Sequence, residues 1–354
     1  MSSPGLYAQS SYLNRPDLLA MVDSCLEHTY NFSFDQARFY QQKLESISPG
    51  HPAPFFLEAL IIYWENFPLT PENTHADIFI NLLNKSADRA EWMLESEETR
   101  LEGVFFDLFS RAFKAMFWAD NGKSVKVIPD LGTLYNHARE GFELMDQFSE
   151  FYFSTGLYNY YVEAYPEAHP AYKPLVSFMH EGDRKLGLEQ LNHAIHYTSY
   201  VKVESLLFMT LIQLNYENDL ETASLFAERL NSSYPRNSYF RGLRIIILLH
   251  LNHFDQVDKL LVQTTKKSDT YSEMISAMAR GYMSEMNGDK ADAEKKYIST
   301  IELADIIGPF GNTYKAIGYM GLSKLSEEKG LNEEARRYAR KAADHTSYSF
   351  ILRD

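Results

Sequence analysis

Residues 287–297 read NGDKADAEKKY, and how that stretch is read decides the fold. Gly288-Asp289 supplies a turn, Ala293 a small residue early in the helix that follows, and Tyr297 an aromatic one a turn later. Gly281 holds a close-packing position on the preceding helix, since small residues let paired helices approach to the near end of a range of about 8–10 Å. Working outward, comparable turns occur at Gly182-Asp183, Asn218-Asp219, Asn252-His253 and Gly330-Leu331. With Gly288-Asp289 between them, their spacings are 36, 34, 36 and 42 residues. KGLNEEARRYARKA, residues 329–342, repeats the pattern with Ala335, Ala339 and Ala342, preceded by Tyr319 and Leu322. Ala37 with Pro49 and Ala223 with Pro235 each set a small residue twelve positions before a proline.

These spacings bracket the period of about 34 residues of the tetratricopeptide repeats, and the residues resemble that family in a bacterial, Bacteroidota-type form with degenerate repeats in the middle. The match is good over 180–345, holds over 17–49, and is weak over 53–180, where helices read longer. The resemblance implies an all-α protein: an α-solenoid of antiparallel helix pairs, a TPR-like superhelix of about eight hairpins. It divides the chain into a tail (1–15), a degenerate helical-repeat half (16–180), a TPR-like half (181–345) and a second tail (346–354). It also implies a concave groove, lined by the first helix of each pair, that holds a protein or peptide. No assembly of Lys and Asn maps onto the peptide-carboxylate clamp of some members, so no ligand residue carries over.

The periodicity supports helices throughout. Phe34, Ala37, Tyr40, Leu44 and Ile47 lay one apolar stripe along a helix face, and strand-like alternation is nearly absent. Ser33-x-x-Gln36, Asn218-x-x-Glu221 and Thr270-x-x-Glu273 read as helix starts. Pro49, Pro68, Pro235 and Gly330 read as stops. The spacing predicts helices over 17–30, 33–47, 53–67, 72–95, 97–118, 130–148, 151–163, 171–180 and 184–197. It predicts others over 202–216, 219–231, 237–250, 253–264, 270–286, 289–306, 311–329 and 332–344. GKSVKVIPD, residues 122–130, reads as a break or a small ordered flap.

Composition narrows the function. With 45% hydrophobic residues over 354 positions the chain can bury a large core unaided. A net charge of -14 repels phosphate backbones, which argues against nucleic acid. Uninterrupted apolar runs such as Ile245 to Leu249 fall far short of the roughly 20 residues of a bilayer crossing. The single cysteine, Cys25, excludes an internal disulfide and reads as a packed thiol. Gly5-Leu6-Tyr7-Ala8-Gln9 resembles the end of a bacterial signal peptide, which favours the periplasm or secretion over the cytoplasm; a frayed tail is the other reading.

Motifs for catalysis are absent: there is no phosphate loop, Gly-x-Ser-x-Gly elbow or His-Glu-x-x-His pair. His193 and His196, three apart on a predicted helix, lack a third ligand, so neither metal nor cofactor is expected. FYFSTGLYNYYVEAYPEAHPAYKP, residues 151–174, stands out instead. Tyr158, Asn159, Tyr161, Tyr165, His169 and Tyr172 are the candidate partner-binding residues, because tyrosine joins a large apolar ring to a hydroxyl. Burial between irregular middle helices is the competing reading, with Pro166, Pro170 and Pro174 marking an extended crossing. The expected function is a non-catalytic scaffold for a protein or peptide. The alternative is an envelope protein whose aromatic cluster at 151–172 takes a glycan or small ligand.

Overall fold

The computed structural model describes residues 11–12, 15–168, 173, 179–262 and 269–352. Among these residues the chain is helical, with no strand. The helices are α1 (Pro16–Tyr30), α2 (Phe34–Ile47), α3 (Pro52–Glu65), α4 (Ala76–Met93), α5 (Arg100–Asp120), α6 (Leu131–Leu144) and α7 (Phe151–Ala168). They continue with α8 (Arg184–Tyr197), α9 (Lys202–Ile212), α10 (Leu220–Ser233), α11 (Ser238–His250) and α12 (Phe254–Val262). The remainder are α13 (Thr270–Met286), α14 (Lys290–Ile307), α15 (Asn312–Glu328), α16 (Asn332–His345) and the single turn α17 (Ser349–Leu352). The helix expected over 171–180 lies largely outside the described residues.

Two compact units form: Met1–Asn159 with Lys185–Lys202, and Tyr160–Arg184 with Val203–Asp354. In the first, each helix from α1 to α6 meets its sequence neighbour, and α1 also meets α3 as α3 meets α5. That is the stacking of helix pairs, in which the first helix of one pair rests on the first helix of the next. Small residues make it possible. A Cβ at Gly103 would lie 2.9 Å from the Ala90 carbonyl oxygen, and one at Gly156 would lie 3.0 Å from that of Gly187.

Buried carboxylates hold this unit's irregular segments. Glu150 accepts the backbone N–H groups of Ser199, Tyr200 and Val201 at 2.7, 3.2 and 3.1 Å. Burial pushes its carboxyl up to about 7, against the pull of those three donors. Tyr200, fixed in this way, packs on Phe105 and Phe106 with ring centroids 5.2 and 5.3 Å away. Glu102 accepts the Tyr12 N–H at 2.9 Å, and the Tyr12 ring stacks on His51 at 3.9 Å. Residues 122–130 are an ordered piece: a 3-10 helix, Ser124–Asp130, runs into α6, and Asp130 binds Arg111 and Lys114 at 2.9 and 3.0 Å.

In the second unit α11 packs on α10, α12 and α13, α13 on α14 and α15, and α15 on α14 and α16. The hairpin turns share one device. Asn218, Asn252, Gly288 and Gly330 each take positive φ, at 55°, 58°, 79° and 74°. The next N–H then reaches back to the carbonyl five residues earlier, as His253 to Leu248, Asp289 to Ser284 and Leu331 to Ser326. After α9 the reach is six residues, Asp219 to Gln213, because a π-turn over Gln213–Glu217 takes up one extra residue.

Three expectations shift. The caps of α10 and α13 are Asp219 and Asp269, one residue from Asn218 and Thr270, whose side chains accept from Thr222 and Ser272 N–H. Asn218 is occupied as the left-handed turn residue, and a carboxylate is a strong acceptor at a helix start. Ser33 is the residue before α2 but makes no side-chain cap bond. Helix α7 continues through Pro166 to Ala168, past its predicted end at 163, because near a helix end the missing N–H costs a single ladder bond. Pro170 and Pro174 lie outside the described residues.

Tyr297 shows what the repeat glycines do. A Cβ at Gly281 would come within 3.1 Å of its ring, and one at Gly321, on α15, would overlap it. The ring fills the space between α13 and α15, and its hydroxyl donates to Glu285 at 2.5 Å. Cys25 is buried with its thiol directed at the Ala37 carbonyl, 3.4 Å away, and burial pushes the thiol up to about 12. Among the described residues no helix is long and apolar enough to cross a membrane.

Candidate functional site

The candidate residues of the aromatic stretch divide between the units. Tyr158, half-buried, stands edge-on to Phe142 in the first unit, ring centroids 5.6 Å apart. Asn159 is buried and donates its amide to Gln190 Oε1 at 2.8 Å, tying α7 to α8. Beside them His193 lies against Tyr152 and Tyr197 at 4.0 and 4.5 Å, and His196 Nδ1 bonds the Asn192 carbonyl. Tyr161 and Tyr165 belong to the second unit. His169 and Tyr172 lie outside the described residues.

Tyr161 opens a run of ring contacts through the second unit. Its ring is edge-on to Tyr216 at 5.4 Å, and Tyr160 meets both, at 5.3 Å from Tyr161 and 6.1 Å from Tyr216. Tyr216 meets Tyr348 at 6.2 Å, and Tyr348 stacks on Phe350 at 6.2 Å. Phe350 is edge-on to His250 at 5.2 Å, His250 meets Tyr282 at 5.7 Å, and Tyr282 meets Phe254 at 6.4 Å. Burial raises the Tyr216 phenol, with Tyr348 and then Tyr165 adding to it. Edge-on geometry sets the positive rim of one ring against the negative face of the next, worth about 0.5–1.5 kcal/mol per pair beyond area burial.

The repeat places these rings. Tyr216 and His250 each sit two residues before a left-handed asparagine, at the same level of successive first helices. Tyr282 comes from α13, the next first helix. Tyr161, Tyr216, His250 and Tyr282 are half-buried, neither sealed in the core nor fully in water, and Tyr348 and Phe350, also half-buried, lie between Tyr216 and His250. A half-covered aromatic row with polar tips suits recognition of another surface.

Ion pairs gather at one end of the row, and Lys324 lies near its middle. At one end Tyr160 donates to Glu217, and Arg184 joins Glu217 and Glu167, both at 3.2 Å, with its guanidinium 5.4 Å over the Tyr160 ring. Burial, and then Glu217, push the Tyr160 phenol up, so it acts as a donor. In the middle His250 Nδ1 lies 2.9 Å from the Ile246 carbonyl. Burial, aided by Lys324, lowers its affinity for a proton, so the imidazole is neutral near pH 7. Phe254, at the other end, lines an open depression of about 380 Å³ with Asn252, His253, Asp255 and Gln256. Among the described residues no three or more His, Cys, Asp or Glu gather as a metal would need.

Sequence reasoning named Tyr161 and Tyr165 but missed Tyr216, His250, Tyr282, Tyr348 and Phe350. A signal existed for two of them, the shared position of Tyr216 and His250 relative to the turn. No family model matches the chain, and no curated protein matches its sequence.

Proposed function

We propose that the chain is a non-catalytic, TPR-like scaffold that binds a protein or peptide partner along the aromatic row of its second unit. The observation that carries this reading is the row itself: half-buried rings from α7, the π-turn after α9, α11 and α13, with Tyr216 and His250 placed alike by the repeat and the ion pairs of Arg184 at one end. Such a surface offers apolar area at low cost in side-chain entropy, because each ring has two rotatable bonds. The hydroxyls and imidazole supply direction. Resemblance to tetratricopeptide repeats agrees with the use of the first-helix face, although fold by itself does not assign function.

The test is co-purification from the native host with quantitative mass spectrometry, comparing the wild type with the double variant Tyr161→Ala/Tyr282→Ala. A partner held by the row is depleted at least about tenfold in the variant, provided its helical circular dichroism is unchanged. A folded variant that retains every partner at wild-type level refutes the proposal.

A further inference from the structure

Residues 346–352 lie on this row rather than away from it. Helix α16 ends at His345, and Thr346 is extended, at φ -153° and ψ 153°. The chain then reaches the π-turn after α9 and forms the single turn α17 against it, also touching α15 and α16. Phe350 packs on the cluster of Leu214, Ala223, Ala227, Leu243 and Ile247. Ile351 is only 6% exposed. The Ser349 hydroxyl donates to the Asn218 side chain, and Tyr348 meets Tyr216.

A four-residue turn has no stability of its own, since helix nucleation costs more than one or two hydrogen bonds return. Within the turn the backbone bonds are those of Ile351 and Leu352 to the Tyr348 carbonyl, both at 3.2 Å. What orders the segment is therefore its side chains: two rings on the row, one hydroxyl on Asn218 and the buried Ile351. These are the anchors of a bound peptide, delivered by a short extended tether.

We propose that Tyr348-Ser349-Phe350-Ile351-Leu352 is a ligand built into the chain. The row is a receptor for short peptides of the pattern aromatic, small polar, aromatic, aliphatic, aliphatic; this segment fills it in cis, and a partner bearing the same pattern displaces it. The inference rests on the partner-binding reading above and supplies the chemistry of the partner. A tethered ligand acts at an effective concentration in the millimolar range, so a free peptide meets a receptor whose open fraction is small, and its apparent affinity falls by that fraction.

The probe is a fluorescently labelled synthetic peptide copying residues 346–352, titrated by anisotropy into the full-length wild type and the full-length variant Phe350→Ala/Ile351→Ala. The expected result is saturable binding to the variant, at least about tenfold tighter than to the wild type, with a scrambled peptide inert. Adding Tyr216→Ala to that variant should abolish the binding. A variant with wild-type helicity that binds no peptide, or binds it no tighter than the wild type, overturns the proposal. Should the double variant lose helicity, Ser349→Ala, which removes only the bond to Asn218, decides instead. A gain of about threefold supports the built-in ligand, and no gain overturns it. Failure here with host partners still lost from Tyr161→Ala/Tyr282→Ala leaves the row as a binding face and removes only the built-in ligand.

Discussion

Ser349 and Asn218, 131 residues apart in the sequence, are joined by a side-chain hydrogen bond, with the serine hydroxyl as donor. Asn218 does two things at once. Its backbone, at φ 55°, closes the turn between α9 and α10, and its side chain holds the segment that crosses the aromatic row. Separating the two roles gives the first prediction. Asn218→Gly keeps the left-handed turn and loses the bond, so amide exchange at residues 350–352 should speed up by about threefold with little change in melting temperature. Asn218→Ala loses both and should cost about 1–2 kcal/mol in urea denaturation.

Glu150 answers three backbone donors, of which those of Tyr200 and Val201 are buried. Glu150→Ala leaves the buried Tyr200 N–H without its acceptor and takes one acceptor from the buried Val201 N–H. The expected loss is about 3 kcal/mol, read from chemical denaturation, and should be accompanied by faster exchange at residues 199–201. Glu150→Gln, with one carbonyl oxygen remaining, should recover part of it.

Glu204, on α9, is buried with Oε2 unbonded among the described residues, and burial pushes its carboxyl up to about 8 from 4.5. The folded chain thus holds this proton more tightly than the unfolded chain. The resulting stability is complete below about pH 4.5 and is lost as pH rises through about 8. Glu204→Gln should remove this part of the pH dependence and stabilise the protein at pH 9 by on the order of 2 kcal/mol. Urea melts of both proteins at pH 5 and pH 9 measure it; an equal gap at the two pH values contradicts the assignment.

Gly321 leaves room for Tyr297 between α13 and α15. Gly321→Ala should destabilise by about 1–3 kcal/mol, because a methyl group there overlaps the ring. Combining it with Tyr297→Leu should cost less than the sum of the two single changes, since the smaller side chain frees that space. Thermal melts of the three variants form the cycle.

Much of the helix pattern was legible in the amino-acid order, to within a few residues at most ends, because a 3.6-residue period of apolar positions is a local property. The turns at Asn218, Asn252, Gly288 and Gly330 were legible for the same reason. The end of α7 was not, because Pro166 is a breaker by its own chemistry and only its position near the helix end makes it tolerable. Candidate partner-binding residues were drawn from a dense aromatic run, where local density identifies tyrosines but not what each one meets. Asn159 and Gln190 became partners only when α7 and α8 closed on each other.

By itself the sequence determined an all-helical chain of paired helices, their turns, and the small residues that let pairs pack closely. All of these follow from interactions spanning a few residues or one repeat. Tertiary structure decided which rings share a row and what lies on it. Tyr216, His250 and Tyr282 belong to three different helices, and Tyr348 and Phe350 to a segment with no helical stripe of its own. Side-chain burial in the row is settled by contacts between residues from about thirty to more than a hundred positions apart, and no local pattern encodes such a contact.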